Sequence, residues 1–275
     1  MVKHRIGRAM AALALVATLS LAGCGDDKAD QKYKDQPVDV LYNAAVDEME
    51  KEHWTLSGKI FDEVERQHPY SVWATKAQVM QAYVMYEANK YDEAIAACDR
   101  FIQLHPGNRD AAYVYYIKAI SYYEQIVDVG RDQKNTENAL KSLQDVATRF
   151  PESKYARDSR LKMDLTRDHL AGKEMEIGRY YERQGLYVAA INRYRHVVGD
   201  YQTTTHVPEA LARLAECYTA VGLPEEAQKN AAVLGYNYPD NEWYKDSYEL
   251  VKGERAGPDM EHSWLGAVIT WMSPF

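Results

Sequence analysis

Small and apolar residues recur at helical spacing in five segments of the chain. Each segment has a small residue, an apolar residue four positions later and another seven positions later. The small residues are Ser57, Ala94, Ala139, Ala190 and Ala227, followed by Phe61, Cys98, Leu143, Tyr194 and Ala231, and then by Val64, Phe101, Val146, Val197 and Leu234. Because offsets of four and seven lie on one face of an α-helix, the three residues of each segment form a row along that face, which we call the apolar stripe. The pattern therefore predicts five amphipathic helices.

The end of each predicted helix is marked by a common signal. Twelve positions after the small residue stand Pro69, Pro106, Pro151, Gln202 and Pro239, each preceded by histidine or an aromatic residue. Proline lacks a backbone N–H and disfavours helical geometry in the residue before it, so a helix is expected to end there. Gln202 departs from this signal and leaves the fourth helix end less defined.

A second helix is predicted upstream of each stripe. Small residues stand twelve positions before four of the alignment points, at Ala45, Ala82, Gly178 and Ala215. In the third segment Ala119 takes this place with an offset larger by eight residues, so 128–135 is expected to lengthen the intervening loop. Small residues let two helices approach closely, and a ring from one helix can fill the space above them.

These helix pairs resemble the tetratricopeptide repeat over about residues 38–239. The resemblance implies an all-α solenoid of about five helical hairpins. Residues 154–168 are expected to form one extra helix between the third and fourth hairpins. We expect an N-terminal half of three hairpins at 38–151 and a C-terminal half at 152–252, and no run alternates as a strand would.

The first residues are typical of an export signal. Lys3, Arg5 and Arg8 precede an uncharged apolar run that is too short to span a bilayer as a stable helix. Residues 21–24 (LAGC) resemble the lipobox of bacterial lipoproteins, which implies cleavage after residue 23 and acylation of Cys24 by a diacylglycerol and an N-acyl chain. An ordinary secretory cleavage site is the alternative. Polar residues 24–37 are expected to form a flexible tether.

Charge and cysteine content narrow the possible partners. Removing residues 1–23 takes away three cations and no anions, so the net charge moves from −8 to −11. This acidic balance disfavours binding to nucleic acid and favours partners with basic patches. Cys98 and Cys217 fall at predicted core positions, where buried free thiols are expected and a single disulfide is the alternative.

The last 23 residues depart from the repeat pattern. Gly257 and Pro258 interrupt the chain, and an apolar run from Trp264 to Met272 follows. This tail, residues 253–275, either caps the end of the repeat array or docks on a partner or membrane surface.

No catalytic or metal motif is present in the sequence. It lacks HExxH, GxSxG, a P-loop and a GxGxxG before a strand, and its eight histidines show no ligand spacing. The many carboxylates follow helical surfaces and are assigned to solvated faces. We therefore expect a protein that is not an enzyme, with no metal and no cofactor apart from the acyl chains.

Tyrosine is abundant, with 22 residues, and several cluster in the second and third hairpins. Tyrosine and tryptophan present flat apolar bodies with polar tips, which suit an extended aromatic-rich peptide. The candidate groove residues are Tyr70, Trp73, Tyr83, Tyr86, Tyr115 and Tyr116. The alternative is that these rings fill space between helices.

Two longer stretches are more specific than the repeat positions. These are DRFIQLHP at 99–106, followed by YVYY at 113–116, and RYYERQG at 179–185, followed by YVAAINR at 187–193. With the lipobox and tether, they resemble the tetratricopeptide lipoprotein family of the outer-membrane β-barrel assembly machine. The resemblance implies a lipid-anchored protein on the periplasmic face of the outer membrane, attached to the membrane through its anchor alone.

The same resemblance implies two binding tasks. N-terminal hairpins would receive unfolded outer-membrane proteins, and C-terminal hairpins would bind the barrel component BamA beside other lipoproteins of the machine. Arg193 matches the family arginine that pairs with an acidic residue of BamA, and Asn192 and Arg183 are assigned to the same side. An arginine satisfied by its own neighbouring carboxylates is the alternative for Arg193. For the whole chain, the alternative is another tetratricopeptide lipoprotein, such as a secretin pilotin or a cell-wall-associated coordinator.

Overall fold

A computed structural model describes residues 33–252, and this part of the chain is helical without any strand. The signal peptide at 1–23, the lipidation site Cys24 and the tail at 253–275 lie outside the described residues. Eleven helices are present in the described part: α1 (Val38–Glu50), α2 (Trp54–Gln67), α3 (Val72–Glu87), α4 (Tyr91–Leu104), α5 (Ala111–Tyr123), α6 (Lys134–Arg149), α7 (Lys154–Arg183), α8 (Tyr187–Asp200), α9 (Val207–Ala220), α10 (Pro224–Asn237) and α11 (Glu242–Lys252). The prediction of an all-α chain of helical hairpins is confirmed.

The helices form two compact units, one ending at Leu104 and the other beginning at His105. The first contains the hairpins α1–α2 and α3–α4, and the second contains α5 to α11. The sequence had suggested a division after Pro151 instead. That position lies inside the second unit, because α7 packs against both α6 and α8.

Helix α7 explains the long spacing between the third and fourth hairpins. It runs for 30 residues, which corresponds to about 45 Å. Its N-terminal part is the segment predicted as an extra helix, and its C-terminal part is the first helix of the fourth hairpin. The two continue into each other without a break after Asp168.

The predicted apolar stripe forms the core of every hairpin. All fifteen stripe residues are buried, including the polar Ser57 and the large rings of Phe61 and Tyr194. Cys98 and Cys217 are buried, and neither takes part in a disulfide within the described residues. Burial of the same three positions in α2, α4, α6, α8 and α10 confirms the helical period read from the sequence.

Close approach of the two helices depends on the small residue in the first helix. Ser57 donates its hydroxyl hydrogen bond to the Ala45 carbonyl oxygen at 2.8 Å, so α1 and α2 touch at backbone level. In the fourth hairpin a Cβ on Gly178 would overlap the ring of Tyr194. A similar contact lies outside the hairpins: a Cβ on Gly235 of α10 would overlap the ring of Tyr244 on α11. The rings of Tyr194 and Tyr244 therefore stand opposite glycines.

The first and second helices of four hairpins are joined by the same three-residue loop. Its middle residue has a positive φ in each case: Glu52 (59°), Asn89 (58°), Gly185 (72°) and Gly222 (77°). The third hairpin differs, as expected, with a ten-residue loop at 124–133. The amide of Gln133 closes this loop by donating to the carbonyl oxygens of Asp128 and Arg131 at 3.2 and 3.0 Å.

A second turn follows each of the helices α2, α4, α6, α8 and α10. Each of these helices ends two residues before Pro69, Pro106, Pro151, Gln202 or Pro239. The residue before that position accepts a backbone hydrogen bond from the residue three further on, as in the 3.1 Å bond from the Thr204 N–H to the Tyr201 carbonyl oxygen. Gln202 thus occupies the proline position of a turn whose geometry is unchanged.

The end of the predicted tether is docked on the first unit. Tyr33 is buried, and the Gln67 amide donates to its carbonyl oxygen at 2.7 Å. The Gln36 N–H donates to the Gln67 side chain at 3.1 Å, and a ring nitrogen of His68 lies 2.8 Å from the Gln36 carbonyl oxygen. Residues 33–37 are therefore part of the fold. Among the described helices, none has the length and apolar character that crossing a bilayer requires.

We expect Gln202→Pro to raise the free energy of unfolding by about 0.5–1 kcal/mol, because proline suits the second position of this turn and restricts the unfolded chain. Urea denaturation of the two proteins measures this change. Thr203→Pro is the control, since a proline one residue later disfavours the helical geometry of Gln202. Equal stability of wild type and Gln202→Pro would contradict the assignment.

Candidate functional site

Arg193 lies on α8 and pairs with a carboxylate of this chain. Its Nη1 lies 3.2 and 3.5 Å from the two carboxylate oxygens of Glu174 on α7. The Arg193 side chain is 42% exposed, while Glu174 is only 14% exposed. His196 approaches the same carboxylate at 3.5 Å. Glu174 therefore positions a guanidinium that still faces solvent.

Arg183 and Asn192 are both exposed on the same hairpin. Arg183 is in the last turn of α7, next to the loop at 184–186, and Asn192 neighbours Arg193 on α8. Three large apolar side chains close to this loop are also exposed: Tyr180, Leu186 and Val188. We call the region formed by these three residues and Arg183 the α7–α8 patch. Grouped apolar side chains around a charged residue are typical of a protein interface.

The apolar members of the α7–α8 patch were not predicted from the sequence. Leu186 and Val188 are apolar but lie off the buried stripe of α8, whose members are Ala190, Tyr194 and Val197. Apolar residues outside the buried stripe were the signal that the sequence offered for an exposed apolar surface. The alignment of the stripe was enough to find them.

The candidate aromatic residues of the first unit differ in exposure. Tyr70 is fully exposed in the turn before α3. Trp73 packs against Tyr42 with ring centroids 4.7 Å apart and carries Lys76 over its ring at 4.8 Å. Tyr83 meets Trp54 edge to face at 6.4 Å. Most of these rings therefore fill space between helices and expose only part of their surface.

Tyr86 follows the same pattern, with its ring 5.8 Å from that of Tyr91 on α4. Burial, followed by the Glu87 carboxylate, raises the pKa of Tyr83 above its ordinary value. A tyrosine held neutral in this way offers an O–H donor over the whole physiological pH range.

Tyr115 and Tyr116 belong to the second unit. Tyr115 packs on Phe150 at 5.3 Å, and Arg149 lies over its ring at 5.4 Å. Tyr116 stacks on Tyr155 at 5.0 Å and donates a 2.6 Å hydrogen bond to Asp158. Burial alone would raise the pKa of Asp158, but hydrogen bonds from Tyr116 and Lys162 lower it below the ordinary value. Both tyrosines thus join α5 to α6 and α7.

A buried group of charges holds the helices of the second unit that carry Arg193 and the α7–α8 patch. Arg213 of α9 donates to Glu216 at 3.0 Å and lies 3.6 and 3.9 Å from Glu209 and Glu182. Glu182 accepts a 2.7 Å hydrogen bond from the Tyr194 hydroxyl. Arg179 binds both oxygens of Glu209 at 2.8 and 2.9 Å. The assignment of all carboxylates to solvated faces was wrong for Glu182 and Glu216, which are buried where side chains of α7, α8 and α9 meet.

The cluster contains three carboxylates and two guanidiniums. Its net charge is therefore −1 if every group is ionised. Burial and the neighbouring Glu182 carboxylate raise the pKa of Glu216 to about 7, against the lowering effect of Arg213. Burial also raises the pKa of Cys217, so its thiol stays protonated and unreactive. The cluster therefore retains a proton close to neutral pH, and its role is structural.

Stability is expected to fall as pH rises through 7. The folded protein binds the Glu216 proton more tightly than the unfolded chain, whose glutamate pKa is about 4.3. The contribution is therefore fully present below about pH 4 and is lost progressively as the pH rises through 7, by on the order of 3–4 kcal/mol in all. Chemical denaturation between pH 5 and 8 measures this slope.

Glu216→Gln should remove most of that slope, because the amide keeps the shape without titrating. The matched control is Glu225→Gln on the exposed start of α10, which should keep the wild-type slope. A Glu216→Gln protein with the wild-type pH dependence would show that another group holds the proton.

Comparisons with known proteins show which family and which relatives the chain resembles. A family model described as YfiO, outer membrane lipoprotein, matches residues 34–234. Outer membrane protein assembly factor BamD of Caulobacter vibrioides is 48% identical over 256 residues, which cover 92% of this chain and 84% of that protein. The BamD of Rickettsia prowazekii is 47% identical, covering 86% of this chain and 94% of that protein. A solved tetratricopeptide-repeat protein of Thermus thermophilus is 17% identical, covering 79% of this chain and 98% of that one, with a TM-score of 0.37.

Proposed function

Since the chain belongs to the YfiO family of outer membrane lipoproteins, we propose that it is a non-catalytic scaffold of the β-barrel assembly machine. It is an outer membrane protein assembly factor, as its relatives at 47–48% identity are named. In this proposal it binds a BamA-like barrel protein, other lipoproteins of the machine and unfolded outer-membrane proteins. The relatives favour this function over that of a secretin pilotin or a cell-wall-associated coordinator.

Association with the outer membrane follows from the family, and we propose that Cys24 provides the anchor on the periplasmic face. A diacylglycerol and an N-acyl chain on Cys24 would hold the protein firmly, whereas a single chain gives only marginal binding. Cys24 stands nine positions before the docked Tyr33, a reach of at most about 30 Å. No further cofactor is required in this scheme, and the net charge of −11 after cleavage disfavours nucleic acid as a partner.

The observation that carries the proposed contact with BamA is the half-exposed guanidinium of Arg193 above the mostly buried Glu174. An acidic side chain of the partner could approach the open side of Arg193 without displacing Glu174. The α7–α8 patch on the same hairpin offers apolar area for the same partner. Charged and apolar groups together give an interface both orientation and affinity.

For the substrate, Tyr70 is the best placed of the candidate aromatic residues. Its side chain is fully exposed and free to stack on an incoming aromatic residue. Trp73, Tyr83 and Tyr86 present smaller exposed areas on the same unit, while Tyr115 and Tyr116 do so on the second. We propose that the first unit supplies the initial contact with the extended substrate chain.

Arg193→Glu should reduce copurification of the BamA-like protein by at least about tenfold, because the new carboxylate faces Glu174 and repels an acidic partner. Pull-down from solubilised membranes, quantified by immunoblot, measures the loss. Arg195→Glu is the matched control, since Arg195 is an exposed arginine on the same helix. The assignment is overturned by equal loss in both variants, or by undiminished copurification with Arg193→Glu.

A photo-crosslinking residue at position 70 should capture unfolded outer-membrane proteins in living cells. The control is the same probe at Tyr236, which is 87% exposed on α10 of the second unit. Crosslinks at 70 but not at 236 support the substrate role of the first unit. The reverse pattern would move the substrate site to the second unit.

A further inference from the structure

The N-terminal half of α7 is a first helix that has no second helix of its own within the described residues. In the other four hairpins the first helices, α1, α3, α5 and α9, have 13–16 residues, and each is followed by its second helix. Helix α7 has 30 residues, whereas α8 has 14, too few to run along more than half of it. His196 near the end of α8 contacts Glu174, and the chain then turns away at 201–206, where the Thr205 N–H donates to Asp168 at 3.0 Å.

The turn before each first helix gives a common reference along the array. Thirteen residues after the proline position, three first helices have a fully buried alanine: Ala82, Ala119 and Ala215. These are the small residues at which the second helix approaches. In α7 the same position is Asp164, which is exposed. The face of residues 154–165 that would meet a second helix is therefore open to solvent.

Two exposed leucines mark this open face. Leu161 lies three residues before Asp164 and Leu165 one residue after it, and both side chains are 61% exposed. Among the described residues, no other pair of exposed large apolar side chains stands four positions apart in one helix. The residues at the same two positions of α3, α5 and α9 are buried or half-buried: Val79 and Tyr83, Tyr116 and Ile120, and Ala212 and Glu216.

The charges around the two leucines are mainly positive. Arg157 and Arg160 are exposed, and within the described residues neither pairs with a carboxylate; the Arg160 guanidinium lies 3.4 Å from the Pro151 carbonyl oxygen. Residues 154–168 carry five cations and three carboxylates, so their net charge is +2 in a chain whose net charge is −11 after cleavage. All three carboxylates already have partners: Asp158 pairs with Lys162 at 3.1 Å, Asp164 with Arg167 at 3.1 Å, and Asp168 with Thr205.

We propose that an acidic amphipathic helix of another protein docks on residues 154–165 and takes the place of the missing second helix. Leu161 and Leu165 are one turn apart and contact the apolar row of that helix, as a first helix contacts the stripe of its partner. Carboxylates of the docked helix bind Arg157 and Arg160, which steer its approach and fix its orientation. Because Asp164 is larger than alanine, the two helices meet at their side chains and not at backbone level.

A membrane surface fits this face less well than a protein does. Helices that lie on membranes bury a wide apolar face, which commonly includes tryptophan or phenylalanine. Here the apolar part consists of two leucines, and a net charge of −11 disfavours approach to anionic lipids. Two leucines beside two arginines match a single helix of opposite charge.

Helix α7 places this site at a fixed distance from the proposed contact with BamA. From Leu161 to Arg183 of the α7–α8 patch, the helix rises by about 33 Å. A protein interface of standard size covers about 800 Å² on each partner, which corresponds to roughly 30 Å across. Two proteins can therefore bind to α7 side by side. This second partner and its surface differ from those of the proposed function, and its docking does not depend on BamA.

A photo-crosslinking residue in place of Asp164 tests the proposal in living cells, with the crosslinked peptides sequenced by mass spectrometry. The expected product joins this chain to one other protein, through a segment that has apolar residues at helical spacing and more carboxylates than cations. The same probe at Lys141, which is exposed on α6, should not give this product. Crosslinks to lipid, to this chain itself or to a segment without these features each overturn the proposal, as does the absence of any crosslink.

Two variants and two matched controls locate the contact, each with the probe at position 164. Leu165→Gln and Arg157→Glu should each reduce the crosslinked product at least about tenfold, because one removes apolar contact and the other repels an acidic helix. Leu104→Gln and Arg109→Glu change exposed residues of the same types elsewhere in the chain and should leave the product unchanged. Circular dichroism checks that the variants stay folded, as expected for exposed positions. A product that survives both Leu165→Gln and Arg157→Glu overturns the site.

The variant Arg193→Glu separates this site from the proposed contact with BamA. The crosslink at position 164 should persist in Arg193→Glu, and copurification of the BamA-like protein should persist in Leu165→Gln. Loss of the crosslink in Arg193→Glu would show a single continuous interface and overturn the second binding site. Undiminished copurification with Arg193→Glu would overturn the BamA contact alone, since the crosslink is measured on a different surface.

Discussion

The close approach of two helices at a single small residue is the contact on which each hairpin depends. Where the first helix offers Ala45 or Gly178, the second helix can bring a hydroxyl or an aromatic ring to the backbone of its partner. A larger residue at that position would push the helices apart and open the core, because protein interiors have no spare volume. The loops of four hairpins have the same length, and all five turns share the same hydrogen bond. Both follow from this contact, because each has to return the chain to the position where the next contact can form.

The second unit adds an electrostatic constraint to this packing. Arg213, Glu182, Glu209 and Glu216 join α7 to α9 from inside, and Arg179 extends the group toward its edge. Buried charges of this kind add little net stability but penalise any arrangement that leaves one of them unpaired. The cluster therefore favours one relative placement of the helices that carry Arg193 and the α7–α8 patch.

Placement of this kind is what a scaffold in outer-membrane protein assembly needs. A binding surface on rigid helices presents Arg193 at a defined angle, because Glu174 restrains its guanidinium on one side. In the first unit, Tyr70 is exposed on the turn before α3, and Trp73 at the start of that helix packs against Tyr42 of α1. Both proposed contacts thus rest on an exposed or half-exposed side chain next to packed residues.

Much of the fold was predictable from the sequence because helix period, helix ends and close approach are local properties. The stripe through Phe61, Tyr194 and their equivalents, the turn at Pro69 and the pairing of Gly178 with a ring all follow from offsets within one hairpin. The lengthened loop of the third hairpin was also visible, since an insertion shifts the register by a countable number of residues. The family resemblance carried by residues 179–193 also lies in one continuous stretch of sequence, and the family model that matches residues 34–234 supports it.

The tertiary structure alone decided which polar and aromatic side chains meet. Glu182 and Glu216 are 34 positions apart on two different helices, and no local pattern marks them as buried. The partner of Arg193 lies 19 residues away on another helix, and the degree to which Tyr83 or Tyr116 is covered depends on neighbours from other helices. The sequence by itself determined the helices and their pairing, because these rest on spacing along the chain. Which charged side chains are buried, and which side chains stay exposed for binding, depends on which helix faces lie against one another. That is a property of the packed molecule.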